Sequence, residues 1–185
     1  MVPSSLQEKI AAFLLGSWQG EKGIYGLQGG ARAYFLSLVA ERIRQPLLVL
    51  SPTTREAENL FFDLAFFLGE EKALSPLQKR LHLFPSWEIL PFEQLSPHPD
   101  NVAARLEGLY HLVEGQAPIL ISTPAALMQR VLPKEVFRQS YRYLVAGAEI
   151  GREDFLAHLV GWGFQNVPLV EERGDFSVRG GIVDI

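Results

Sequence analysis

The chain has 185 residues, 48% of them hydrophobic and 21% charged, with a net charge of -4 at pH 7. Twelve Phe, five Tyr and three Trp supply ample core material. This excludes a disordered chain, and the acidic balance does not mark a nucleic-acid surface. The absence of cysteine excludes disulfides, thiolate zinc sites and cysteine nucleophiles, and fits a reducing compartment.

From the N-terminus, Ser4 or Ser5 is placed to cap a first helix, in which Leu6, Ile10, Phe13 and Leu14 recur at helical spacing. "IAAFLLGSW" is too short to span a bilayer and no basic n-region precedes it, so the chain reads as cytoplasmic with no membrane partner. Gly23–Leu27 is a strand candidate. Ala31–Arg44 follows as a helix, with Phe35, Leu38, Val39 and Ile43 on its apolar side. The run "PLLVLSP" suits a strand buried on both faces. Thr53 or Thr54 then caps a helix with Glu56 and Glu58 in its first turn and Gly69 as its stop.

"RLHLFP" reads as a third strand, followed by a long irregular segment rich in proline and aromatics. A helix capped by Asn101 comes next, then a buried strand in "PILIST". The helix "PAALMQRVL" has proline in its first turn. Strand and helix therefore alternate to about Leu132. The expected fold is α/β: a parallel sheet with helices on both faces over residues 1–133.

Residues 134–185 open a smaller α+β domain. "SYRYLVAGAEI" reads as a strand with a turn. "GREDFLAHLVGWGF" reads as a helix with Glu153 and Asp154 at its start and Gly161 or Gly163 at its end. "NVPLVEERGDFSVRGGIVDI" reads as two or three antiparallel strands with glycine turns. The pattern stops at Ile185 in mid-strand, as expected of a piece of a longer protein.

The glycine loop "GLQGGARA" invites comparison with the phosphate-binding motif G-x-x-x-x-G-K-[ST]. Gly26 fits the first glycine, and Gly29 and Gly30 fall between. Ala31 then stands for the second glycine, Arg32 for the lysine and Ala33 for the hydroxyl residue. Ala31 adds a Cβ where positive φ is used. Arg32 offers a planar fork instead of a compact ammonium. Ala33 has no oxygen for magnesium. The loop reads as a tight strand-to-helix turn, with a loose anion site at the helix N-terminus as the other reading.

No other catalytic constellation stands out. His82, His98, His111 and His158 do not pair with one another or with a carboxylate at a tight metal-binding spacing, so no metal site is expected. Glu171 and Glu172 are adjacent, and in a strand would point to opposite faces. The clusters "LFFDLAFFL" and "YRYL" read as core packing more than as base-stacking platforms, since few basic residues accompany them. Arg173 and Arg179 flank the strand in "ERGDFSVRGGIVDI". They read either as surface arginines on a hairpin or as a partner-binding edge suited to carboxylates.

Several segments together resemble one family. "WEILPF", "SPH", "RL" and "LYHL", carried by Trp87, Glu88, Leu90, Pro91, Phe92, Ser96, Pro97, His98, Arg105, Leu106, Leu109, Tyr110 and Leu112, resemble a signature of the bacterial transcription-repair coupling factors (Mfd). "ISTPAALMQRVLP" resembles their next segment. "ERGDFSVRGGIVDI" resembles the E-x-G-[DE]-[FY]-x-x-R-G element that this family shares with the excision-repair protein UvrB.

The resemblance implies an N-terminal UvrB-like module. Residues 1–133 would be a helicase-like domain with a degenerate phosphate loop, and residues 134–185 the truncated start of a UvrA-binding domain. The short "LSPHPDNVAAR" stands where UvrB carries a DNA-clamping hairpin, which implies no damage clamping here. The family's UvrA-binding arginine falls on Arg179; Arg173, Phe176 and Gly180 belong to the same expected UvrA site. The implied function is recruitment of UvrA without ATPase activity or cofactors of its own. ATP and magnesium would serve only the parent protein's motor, and RNA polymerase and DNA would engage other domains. The alternative is an ATP-binding helicase-type motor fragment that uses "GLQGGARA".

Overall fold

The computed structural model describes residues 12–185, apart from 14–15, 17–19, 22, 44, 71–78, 91, 94 and 143. Most of the expected first helix, Pro91 of the signature and Tyr143 of "YRYL" lie outside the described residues. The chain forms two compact units. One takes in the chain up to Ser86 together with Ala104–Gln129; the other comprises Trp87–Ala103 and Arg130–Ile185.

The first unit is an α/β layer structure, as the alternation of patterns predicts. Its helices are α1 (Ala31–Arg42) and α2 (Thr54–Leu68), and most of α3 (Pro99–Val113) also belongs to it. Strands β1 (Leu47–Leu50), β2 (Leu81–Phe84) and β3 (Ile119–Ser122) form a parallel sheet in the order β1-β3-β2. The short α4 (Pro124–Leu127) follows β3.

Alternation along the strands sorts the side chains to the two faces. Leu47, Val49, Leu81, Leu83, Ile119 and Ile121 meet α1 and α2 in one apolar cluster. On the other face, α3 lies so close that a Cβ on Gly108 would stand 3.1 Å from Leu120 and 3.5 Å from Phe84. The central strand β3 is accordingly buried along its whole length. β1 is not: Leu48 and Leu50 are each 50% exposed. The expectation of a strand buried on both faces fails here: among the described residues no helix covers the Leu48–Leu50 side of β1, whereas α3 covers that face at β3 and β2.

Helix ends follow their capping chemistry. Thr53 caps α2, its hydroxyl accepting from the Glu56 N–H at 3.2 Å, and Gly69 closes it in the left-handed conformation at φ +68°. Thr123 caps α4 in the same way through the Ala126 N–H. Three expectations shift. α3 begins at Pro99, earlier than the Asn101 cap, because a proline with fixed φ suits a first turn; the Asn101 amide instead reaches Glu88 at 3.5 Å. α4 stops at Leu127. α1 turns Ala33, Leu36 and Ala40 into the core cluster, where small side chains permit close approach, and leaves Phe35 and Leu38 only half-buried.

Gly23–Leu27 forms no strand. Ile24 and Tyr25 are exposed and Gly26 sits at φ +82°, outside any ladder. The aromatic run in α2 is only partly core: Phe61 packs inward, while Phe62 and Phe66 are each 68% exposed.

The second unit holds α5 (Lys134–Gln139), α6 (Arg152–Gly161), β4 (Gln165–Asn166), β5 (Asp175–Arg179) and β6 (Ile182–Asp184). α6 starts beside Glu153 and Asp154 and gives way to Gly163 at φ +88°. α5 was not expected, and "SYRYLVAGAEI" contains a turn at Ala146–Gly147 but no strand among its described residues. β5 and β6 form an antiparallel hairpin, whereas β4 pairs with β5 in parallel, not antiparallel as expected. Phe155, Leu159 and Phe176 make its core, joined by Phe164, Val178 and Val183.

Candidate partner-binding hairpin and glycine loop

In the glycine loop, Gly26 and Gly29 take φ of +82° and +52°, so their lack of Cβ is used. Three amides at the end of the loop and the start of α1 are already bonded within the chain. Ala31 N–H donates to Gln28 O at 3.1 Å, Arg32 N–H to Gly29 O at 3.4 Å, and Tyr34 N–H to Gly30 O at 2.9 Å. Ala33 is fully buried. Arg32 extends to Glu56, its Nη1 lying 4.0 Å from the carboxylate. The adjoining cavity, about 360 Å³, is lined by Gly29 and Arg32 but also by Glu56 and Asp63. An anion there would face two carboxylates.

The β5–β6 hairpin is set by its turn. Gly180 and Gly181 form a two-residue loop with positive φ, +59°, at Gly180 alone, a pattern that suits the type II′ turn and the twist of the strands. Period two then divides the hairpin. Phe176, Val178 and Val183 pack toward the unit's core. Ser177, Arg179, Ile182 and Asp184 share the other face. There Arg179 pairs diagonally with Asp184, and Ile182 opposite it is 63% exposed. Ser177 is buried, its hydroxyl donating to Pro168 O.

Of the expected partner residues, Arg179 and Gly180 stand together at the exposed hairpin tip. Arg173 lies at the opposite end of β5, its Nε 2.9 Å from Asp100 Oδ1. Phe176 is 2% exposed and belongs to the core beneath the hairpin, not to the outer face. The motif gave no sign of this difference, which comes from strand alternation once the register is known.

Residues 143–185, which contain this hairpin, match the UvrB interaction domain family. Most of the chain is also similar to transcription-repair-coupling factors. That of Myxococcus xanthus is 37% identical over 161 residues, 86% of this chain and 13% of the relative. Those of Bacillus subtilis and Escherichia coli are each 30% identical, over 89% and 90% of this chain and 13% and 14% of the relatives. The chain belongs to the UvrB-like modules of the transcription-repair-coupling factors. It spans about an eighth of the length of these relatives.

The signature residues of this UvrB-like module divide between interior and surface. Arg105 is 1% exposed, and its Nη1 donates to Pro85 O at 2.7 Å, Gln129 Oε1 at 3.3 Å and Ala126 O at 3.4 Å. Burial holds its pKa below the usual arginine value. His98 is exposed at the start of α3 beside Asp100. No helix among the described residues is long and apolar enough to cross a membrane.

One constellation in the module joins histidines that their spacing in the sequence kept apart. His82 on β2 and Glu107 and His111 on α3 come together within the first unit, a ligand atom of each within 4.8 Å of the others. The signal available in the sequence was Glu107-x-x-x-His111, which places both side chains on one helix face. The partner His82, 25 positions before Glu107 by their numbers, is supplied only by the packing of α3 on the sheet.

Proposed function

We propose that this module recruits UvrA during transcription-coupled repair, by protein binding at the outer face of the β5–β6 hairpin. The observation that carries this reading is the placement of an exposed Arg179 at the hairpin tip inside the stretch that matches the UvrB interaction domain. UvrB is the protein whose equivalent domain contacts UvrA in the resemblance described above. Arg179, presented beside the exposed Ile182, offers a guanidinium fork to a carboxylate or a cluster of carbonyls. Gly180 keeps the tip free of side chains, and Phe176 supports the face from below. RNA polymerase and DNA would be engaged by other parts of the parent protein.

The module acts without an ATPase of its own in this reading. The already bonded amides of Ala31 and Arg32, the buried Ala33 and the acidic cavity support it.

Titration calorimetry of UvrA against the chain, and against a longer chain extending past Ile185, tests the reading. Arg179→Ala is expected to weaken UvrA binding about tenfold or more, about 1.4 kcal/mol. Equal affinities for the wild type and Arg179→Ala would refute the assignment of Arg179 as a contact residue. Magnesium-dependent ATP hydrolysis abolished by Arg32→Ala would instead establish the motor-fragment reading.

A further inference from the structure

His82, Glu107 and His111 are arranged in a way that neither partner recruitment nor the sheet's packing requires. His82 Nε2 lies 3.1 Å from the Lys79 carbonyl, which can only accept, so that nitrogen carries the proton. Its Nδ1 is then the nitrogen that faces Glu107 Oε1, at 3.4 Å. His111 Nδ1 lies 2.5 Å from Gln116 Oε1 and donates to it. Its Nε2 is then a bare lone pair, buried and without a hydrogen-bond partner. Three potential ligand atoms, His82 Nδ1, Glu107 Oε1 and His111 Nε2, therefore converge.

We propose that His82, Glu107 and His111 form a three-ligand site for a divalent d-block ion of the zinc or cobalt type, with water in a fourth position. The donor set of such a site is present. The imidazoles are oriented by carbonyl acceptors behind them, as metal-bound histidines are. The 3.4 Å between Nδ1 and the carboxylate oxygen matches the edge of about 3.3 Å that follows from tetrahedral zinc bonds of about 2.0–2.1 Å. Histidine nitrogen with one carboxylate suits zinc and its neighbours better than magnesium or calcium. Glu107 retains 39% side-chain exposure, which leaves the ion a route from solvent.

The rings of His82 and His111 stack with centroids 4.2 Å apart and planes 26° apart. A metal must lie in the plane of each ring it binds, so ion capture turns the rings out of the stack. The site would clamp α3 to β2 across the sheet face.

The test uses the chelator-treated full chain. Co²⁺ is titrated while its visible d–d absorption is followed, and Zn²⁺ is then added as competitor. One equivalent of Co²⁺ with a tetrahedral-type band, displaced by Zn²⁺, is expected. Gln116→Leu should weaken uptake within the range of about 10–100-fold typical of outer partners, and His111→Ala by more. Should His111→Ala fail to fold, Glu107→Gln decides, because that residue is partly exposed and the change keeps its shape. Absence of the Co²⁺ band in the wild type, or equal uptake by the wild type and Glu107→Gln, overturns the proposal.

Discussion

The guanidinium carbon of Arg105 lies 4.1 Å from the centre of the Phe84 ring, with the same guanidinium bonded to the Pro85 carbonyl. A helix side chain thus closes over the end of a strand and ties down the chain as it leaves β2. Arg105→Met would keep the volume but strand the carbonyls of Pro85 and Ala126. It is expected to destabilise the chain by about 3 kcal/mol, because hydrogen bonds to charged groups and buried acceptors left unmet dominate the loss. Arg105→Lys should lose less but not recover the wild type, since an ammonium lacks the fork. Urea denaturation with an unchanged slope checks both.

Acid should weaken the first unit over two pH ranges. Burial first, opposed by the bond to Gln116, holds His111 below 6.5. The bond to His82 first, opposed by burial, holds Glu107 below 4.5. In both cases the unfolded chain takes up protons at a higher pH than the folded chain, so stability falls as pH falls. The His111 contribution is complete above its unfolded value of 6.5 and is lost as pH drops through its lowered folded value. Loss of the Glu107 contribution begins below 4.5. Thermal midpoints with chelator present should be flat above neutrality and decline in mild acid. A midpoint that rises on acidification from neutrality to about pH 5 would contradict this sign.

Thr53→Ala should cost about 1 kcal/mol through loss of the α2 cap, and Thr53→Ser should restore it. Chemical denaturation resolves the difference. The effect should be independent of Arg105→Met, since the two sites share no hydrogen-bond partner among those described.

Restoring the phosphate-loop residues should not restore nucleotide binding. The triple change Ala31→Gly, Arg32→Lys, Ala33→Thr supplies the motif letters, but position 33 is fully buried and the cavity keeps Glu56 and Asp63. Calorimetry with magnesium and ATP should show no heat of binding, and the chain should lose stability from the buried hydroxyl. Tight nucleotide binding by the triple variant would show that the loop lacks only its side chains.

Arg179→Ala should leave stability within about 1 kcal/mol of the wild type, because its ion pair with Asp184 is exposed. Any larger loss of UvrA affinity then reports the contact itself. A collapse of the thermal midpoint would show instead that Arg179 holds the hairpin together.

Much of the fold was legible because local chemistry states it. Thr53 and Gly69 bracket α2, "PILIST" is apolar enough to mark a central strand, and Gly180–Gly181 marks a hairpin turn. The loop's departures from the phosphate motif were likewise visible at Ala31, Arg32 and Ala33. The failures lie where a neighbour decides the outcome. Gly23–Leu27 has strand-like letters but no strand, and β1 has a continuous apolar run but an open face.

By itself, the sequence determined the alternation of elements, the emptied phosphate motif and the arginine at the hairpin tip, since each depends on residues a few positions apart. The tertiary structure alone decided that Phe176 faces inward while Arg179 faces outward, and that His82 meets Glu107 and His111. Both outcomes depend on strand register and on which helix covers which face of a sheet. Those are set by contacts between distant segments, and no local pattern encodes them.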